Sequence, residues 1–220
     1  MKRVLLFGLS ADPPTGEEGH LGLVRWAARR TTYPELGGPI DAMWILPVFR
    51  HAYAEKSGQT SFVHRFEMSR LCFEGRNEPV PIVVSDAERE LAAARPEERL
   101  GTIDLLDHLE ARHSGTRFGF LLGADTARDL FLGKWKGGHT LLTRAGWVVV
   151  PRVGVSLDPD LGVVWAHDAP ALGKVSSTAA RRAHSKERLR WLTPEVAAYV
   201  ERHGLYGPQG AFDSPTGGEG

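Results

Sequence analysis

A chain of 220 residues, 42% hydrophobic and 25% charged, has enough apolar material to bury a core and lies outside the disordered regime. Its 27 Lys and Arg balance its 27 Asp and Glu, so no global field draws it to nucleic acid or an anionic membrane, and any anion binding must come from a local site. The single cysteine, Cys72, excludes an internal disulfide framework and a multi-cysteine zinc site; on an apolar helix face it reads as a buried structural thiol.

Taken in chain order, apolar runs alternate with amphipathic stretches. RVLLFG predicts a buried strand, and a helix follows from about Gly19 through Arg30. The start MKRVLLFGLSADPP resembles a signal peptide only superficially, because Asp12 and two prolines cut its apolar run short. DAMWILPV predicts a second strand. SFVHRFEMSRLCFEG predicts a second helix, with Phe62, Phe66, Leu71 and Phe73 supplying apolar surface. VPIVVS predicts a third strand, and TIDLLDHLEARH a helix with Ile103, Leu106 and Leu109 at helical spacing. FGFLLG, GWVVVPR and LGVVWA predict three more strands. KVSSTAARRAHS and TPEVAAYVERHGLY predict two closing helices with good starts, and GPQGAFDSPTGGEG reads as a flexible tail.

Continuous aliphatic runs predict strands covered on both faces, and strand taking turns with helix predicts a parallel sheet with right-handed crossovers. The expected fold class is therefore α/β, a Rossmann-like doubly wound sheet: one domain over 1–207 with C-terminal helices, then a Gly/Pro-rich tail over 208–220. No run approaches the roughly 20 apolar residues of a membrane-spanning helix, so a cytoplasmic protein is expected.

In such sheets ligands bind beyond the carboxyl ends of the strands. There GLSADPPTGEEGH, Gly8 to His20, concentrates glycines, prolines, an aspartate and a histidine. Gly8 and Gly19 would let a ligand approach backbone N–H groups, and a helix N-terminus suits phosphate. The same residues also read as a capped turn with an exposed histidine; the stretch matches neither GxGxxG nor the P-loop. Late in the chain, GKVSSTAARR puts Lys174, Arg181 and Arg182 around a predicted helix start, with Ser177 as its cap. Cations there oppose the helix dipole, and a bound anion would reverse the effect. An ordinary Ser/Thr cap with solvated arginines is the alternative.

Together, strand–GxSxDPPT…GH–helix and VSSTxxR resemble the nicotinate-nucleotide adenylyltransferases of the nucleotidylyltransferase superfamily. ILPVFRHAYAEK, VSDAERELAAARPEERLGTIDLLDHL, LLGADTARDLFLGKW, VVVPR and LTPEVAAYVERHGLY extend the resemblance over about residues 2–207. It implies transfer of AMP from ATP to nicotinate or nicotinamide mononucleotide with release of pyrophosphate, in NAD biosynthesis. It further implies that His20 and Arg181 serve the reaction. Gly8, Leu9, Ser10, Thr15, Gly19, Gly123, Asp125, Ser176, Ser177 and Thr178 would hold ATP. Thr102, Trp135, His51, Lys56 and Arg152 would hold the mononucleotide. Mg²⁺ would be held mainly by phosphates and water, with no protein metal site. Small molecules are the expected partners, not nucleic acid or membrane. The sequence leaves the oligomeric state open, a homo-oligomer included.

Two departures stand out. Ala11 replaces an aromatic residue, and GEE puts two residues too many between Thr15 and Gly19-His20. With His20 in register, Glu17 would stand beside the triphosphate and repel it. With Thr15 in register, the loop bulges and the glutamates face solvent; this is the favoured reading. Transfer to another phosphate acceptor, or nucleotide binding with weakened chemistry, are the competing functions.

Overall fold

Alternate residues of the first strand enter opposite cores, which sets the plan of the fold. In β1 (Lys2–Leu9), Leu5, Phe7 and Leu9 join one apolar cluster, and Val4 and Leu6 join the other. In the computed structural model, which describes residues 1–49, 59–152, 164–170, 175–183 and 185–207, five further strands accompany β1. They are β2 (Ala42–Pro47), β3 (Ile82–Val84), β4 (Thr116–Gly123), β5 (Gly146–Val150) and β6 (Val164–Trp165). All pair in parallel in the order β3-β2-β1-β4-β5-β6. The expected doubly wound α/β sheet is thus present. Strand order reverses between β1 and β4, so the crevice beyond Leu9 and Gly123 is where a ligand belongs.

One face is covered by α1 (His20–Arg29), α2 (Phe62–Phe73) and the late helix α9 (Pro194–Arg202). The other is covered by α3 (Ala87–Ala94), α4 (Thr102–Arg112), α5 (Ala124–Phe131) and α6 (Gly138–Arg144). Two short helices, α7 (Ser177–Arg182) and α8 (Ser185–Trp191), lead into α9. Thr193 caps α9 by accepting from Val196 N–H, with Pro194 in its first turn. Among the described residues no helix is long and apolar enough to cross a membrane.

Cys72 and the apolar surface of α2 are as expected, while the boundaries of the late helices are corrected. The buried face of α2 is Arg65, Met68, Ser69, Cys72 and Phe73, with Phe62, Phe66 and Leu71 only half-buried. Cys72 is fully buried, and burial pushes its thiol up to about 12, as an inert core residue requires. The expected single helix through KVSSTAARRAHS is the six-residue α7, and α8 follows it as a separate helix. Ser176, not Ser177, is the cap of α7, its Oγ accepting from Ala179 N–H at 3.1 Å. Because α7 is so short, Arg181 and Arg182 fall in its last turn, where cations favour the dipole rather than oppose it. The helix dipole therefore gives no reason to expect an anion at α7. Helices α3 and α6 were not anticipated as separate elements.

Candidate active site

Loop 10–19 leaves β1 at the crevice and folds back on itself through buried polar contacts. Ala11 takes φ +55°, and Asp12–Pro13 is a cis peptide. The Asp12 and Thr15 side chains are fully buried. Thr15 and His20 then bond to each other directly. His20 N–H donates to Thr15 Oγ1 at 3.0 Å, and Thr15 N–H donates to His20 Nδ1 at 3.1 Å. Thr15 Oγ1 lies 2.7 Å from the same Nδ1. Because Nδ1 accepts from a backbone N–H, the neutral imidazole carries its proton on Nε2. Burial, and secondarily the Arg152 guanidinium, lower the His20 pKa to about 4, so the ring is neutral at physiological pH.

This geometry resolves the register of the insertion. Thr15 keeps its place beside His20, while Glu17 and Glu18 are exposed and Gly16 is tucked under Trp191, whose carbonyl accepts from Gly16 N–H at 2.7 Å. Glu17 pairs with Arg25 on α1, and Arg25 also bonds Glu78 at 2.7 Å. Gly19 is obligatory for local closure: a Cβ there would sit 2.1 Å from Thr15 Oγ1. Gly22 is similarly confined, at 1.9 Å from the Glu17 carbonyl oxygen.

The late motif meets the early one. Ser177 Oγ donates to the Pro13 carbonyl at 2.9 Å, and Arg181 donates to the Asp12 carbonyl and, at 3.3 Å, to Thr178 Oγ1. Helix α7 is therefore seated on loop 10–19, and Arg181 lies against it. Gly8 faces open space at the strand end. Leu9 and Ser10 are engaged by their carbonyls, which accept from Val48 N–H at 3.0 Å and from buried Arg65 at 2.9 Å. Gly123 caps α5, and Asp125 in its first turn pairs with Arg152 at 2.6 Å. An expected adenosine contact and an expected mononucleotide contact are thus held together, and the Arg152 charge is felt at His20.

The other two expected residues among those described, Thr102 and Trp135, lie at or near α4. Thr102, its first residue, lines a cleft of about 280 Å³ with Phe49, Glu88, Leu100 and Leu105. Burial lifts the Glu88 pKa to about 7 even though its carboxylate accepts from Phe49 N–H at 2.8 Å. Trp135 packs half-buried against the second core cluster and does not line this cleft. Its neighbour Lys136 ties the two segments together through an ion pair to Asp104 at 2.8 Å. His51, Lys56 and Lys174 lie outside the described residues.

Sequence reasoning missed Arg65, which joins Thr60, Ser10 and Val48 through three carbonyls at 2.8, 2.9 and 2.6 Å. The signal was present: Arg65 occupies the same helix stripe as Met68, Ser69 and Cys72, where a charge needs a buried purpose. It also missed Asp12, whose partner Tyr206 lies 194 residues away.

No family model matches the chain. Among curated proteins it is similar to the "Probable nicotinate-nucleotide adenylyltransferase" of Anaeromyxobacter dehalogenans strain 2CP-1, at 33% identity over 208 residues, 93% of this chain and 97% of the relative. The counterpart so named from Myxococcus xanthus is 31% identical over 212 residues, 93% and 95% of the two chains. Among solved structures, the Plasmodium falciparum nicotinic acid mononucleotide adenylyltransferase complexed with NaAD aligns at a TM-score of 0.66 and 20% identity, over 94% of this chain and 98% of that one. The fold is shared with that structure. The chain belongs to the nicotinate-nucleotide adenylyltransferase family.

Proposed function

We propose that the protein transfers the adenylyl group of ATP to nicotinate or nicotinamide mononucleotide, releasing pyrophosphate and forming the dinucleotide. The reading rests above all on one observation: Thr15 and His20 remain bonded across the Gly16-Glu17-Glu18 insertion, so the longer loop keeps a formed site. The mononucleotide phosphate attacks the α-phosphorus of ATP, the bond to the β-phosphate oxygen breaks, and pyrophosphate leaves with that electron pair. Such a reaction asks the protein for positioning and charge stabilisation rather than covalent help. Neutral His20 offers an Nε2–H to phosphate oxygens, and Arg181 offers its guanidinium to the charge on the departing pyrophosphate.

Gly8, Leu9, Ser10 and Gly19 shape the floor of the ATP site, and Thr15 holds His20. Ser176 and Ser177 seat α7, Thr178 steadies Arg181, and Gly123 with Asp125 receives the adenosine. Thr102, Trp135 and Arg152, with His51 and Lys56, are assigned to the mononucleotide. Magnesium enters with the MgATP substrate, coordinated by phosphate oxygens and water. The reaction is one of the cytoplasm, where ATP and pyridine mononucleotides are both at hand.

The test is direct. Purified protein is incubated with MgATP and each mononucleotide, and pyrophosphate and dinucleotide are followed together. Equal release of the two products with at least one mononucleotide is expected. Absence of dinucleotide with both would overturn the assignment.

A further inference from the structure

We propose that Tyr206 is a positioning residue for Arg181, acting through the carboxylate of Asp12 and through Arg188; this rests on the phosphate-binding role given to Arg181 above. The Asp12 carboxylate is fully buried. Its Oδ1 accepts from the Tyr206 hydroxyl at 2.6 Å, and its Oδ2 has no hydrogen-bond partner among the described residues but stands 3.5 Å from the Arg181 guanidinium. Tyr206 itself is held in turn by Thr60 and takes φ +57°, a backbone conformation that L side chains rarely adopt. Burial first, then the adjoining Asp12, push its phenol well above the ordinary tyrosine range, so it remains a donor.

The consequence concerns how Arg181 is held. With Oδ1 engaged by Tyr206, Asp12 attracts the guanidinium without bonding it, and Arg181 bonds the Asp12 carbonyl and Thr178 instead. A bidentate Arg–carboxylate pair would be the stronger alternative, and it would compete with phosphate for the same donors. The tyrosine hydroxyl disfavours that pair by taking an acceptor direction on one of the two oxygens it needs and fixing the carboxylate's orientation. The Tyr206 ring meanwhile lies 5.7 Å from the guanidinium of Arg188. Arg188 donates to the carbonyls of Ala180, Arg181 and Ala183 at 2.9, 3.4 and 3.0 Å, satisfying the C-terminal end of α7. One residue near the last described position thus sets both the anion facing Arg181 and the helix end that carries it.

The experiment is a double-mutant cycle. Tyr206→Phe keeps the ring over Arg188 and removes only the hydroxyl; it is measured alone and with Arg181→Gln, in single-turnover assays with melting temperatures recorded. The expected result is a loss of about tenfold in the rate for Tyr206→Phe in the parent protein, with KM for the mononucleotide within roughly twofold. With Arg181→Gln present, the same substitution should change the rate by less than about twofold, because no guanidinium remains to be held. An undiminished tenfold loss beside Arg181→Gln, or no loss in the parent protein, would overturn the proposal. Should Tyr206→Phe fail to fold, Asp12→Asn is taken through the same cycle under the same criteria. If the parent protein turns over neither mononucleotide, the assigned reaction falls, and the cycle is read as ATP affinity by calorimetry: a loss confined to the protein with Arg181 supports the positioning role of Tyr206, and an equal loss in both backgrounds overturns it.

Discussion

Thr15 and His20 bond to each other across the Gly16-Glu17-Glu18 stretch, two residues longer than the family pattern, by two backbone N–H donors and a 2.7 Å contact from hydroxyl to imidazole. Burial keeps His20 neutral, while the contact chooses which ring nitrogen holds the proton and leaves the intervening glutamates outside. Replacing His20 by Ala is expected to lower kcat by two to three orders of magnitude, the range for loss of one transition-state donor, with little change in melting temperature. Thr15→Val should lower kcat by a smaller factor, because the imidazole remains but turns more freely. Full activity in His20→Ala would remove the residue from the reaction.

The exposed glutamates make the opposite prediction. Glu17 spends its charge on Arg25, and both carboxylates face solvent, so Glu17→Ala with Glu18→Ala should leave kcat and the KM for ATP within about twofold. Steady-state kinetics at two salt concentrations decides this. A large gain in ATP affinity on removing them would mean that they repel the triphosphate after all.

Gly19→Ala is the sharp structural counterpart. Its methyl carbon would lie 2.1 Å from Thr15 Oγ1 and 3.0 Å from Thr15 Cβ, and Thr15 is fully buried and cannot retreat. The expected cost is about 2 kcal/mol, read as a fall of several degrees in melting temperature. Activity should fall with it, since the Thr15–His20 contact must open. A variant with unchanged melting and kinetics would contradict the tightness of this turn.

Proton binding to His20 gives a pH signature. Its folded pKa, about 4, lies below its ordinary value of 6.5, so the folded state binds fewer protons between those values. Its contribution to stability is complete above pH 6.5 and is lost as the pH falls toward 4. NMR titration should place the imidazole midpoint near 4, and addition of ATP should raise it by supplying negative charge. A midpoint near 6.5 in the free protein would show that the ring is solvated.

Glu88 contributes the opposite slope. Burial lifts its carboxyl from the ordinary 4.5 to about 7, so the folded state binds more protons in that window and stability falls as pH rises through it. Glu88→Gln keeps an acceptor for the Phe49 N–H without the charge. It should melt higher than the parent protein at pH 8, and the gain should vanish near pH 4.5, where both forms are uncharged. Equal melting at pH 8 would show that the carboxylate is hydrated at no cost.

Strand-forming runs such as RVLLFG and GWVVVPR declared a parallel sheet by themselves, because a strand buried on both faces has no room for polar alternation. The proposed roles of Gly8, His20, Ser176 and Arg181 also came from sequence, since phosphate binding restricts residue type within a few positions of a strand end or helix start. The sequence could not say whether Thr15 or Glu17 would stand beside His20, because either register satisfies local rules; the choice came from burying Thr15 and pinning Gly16 beneath Trp191. Nor could periodicity show that α7 stops after six residues, where buried Arg188 takes over its carbonyls. Tyr206 and Asp12, 194 positions apart, are the extreme case. A buried carboxylate must find its donor somewhere in the folded chain, and only the tertiary structure determines which residue supplies it.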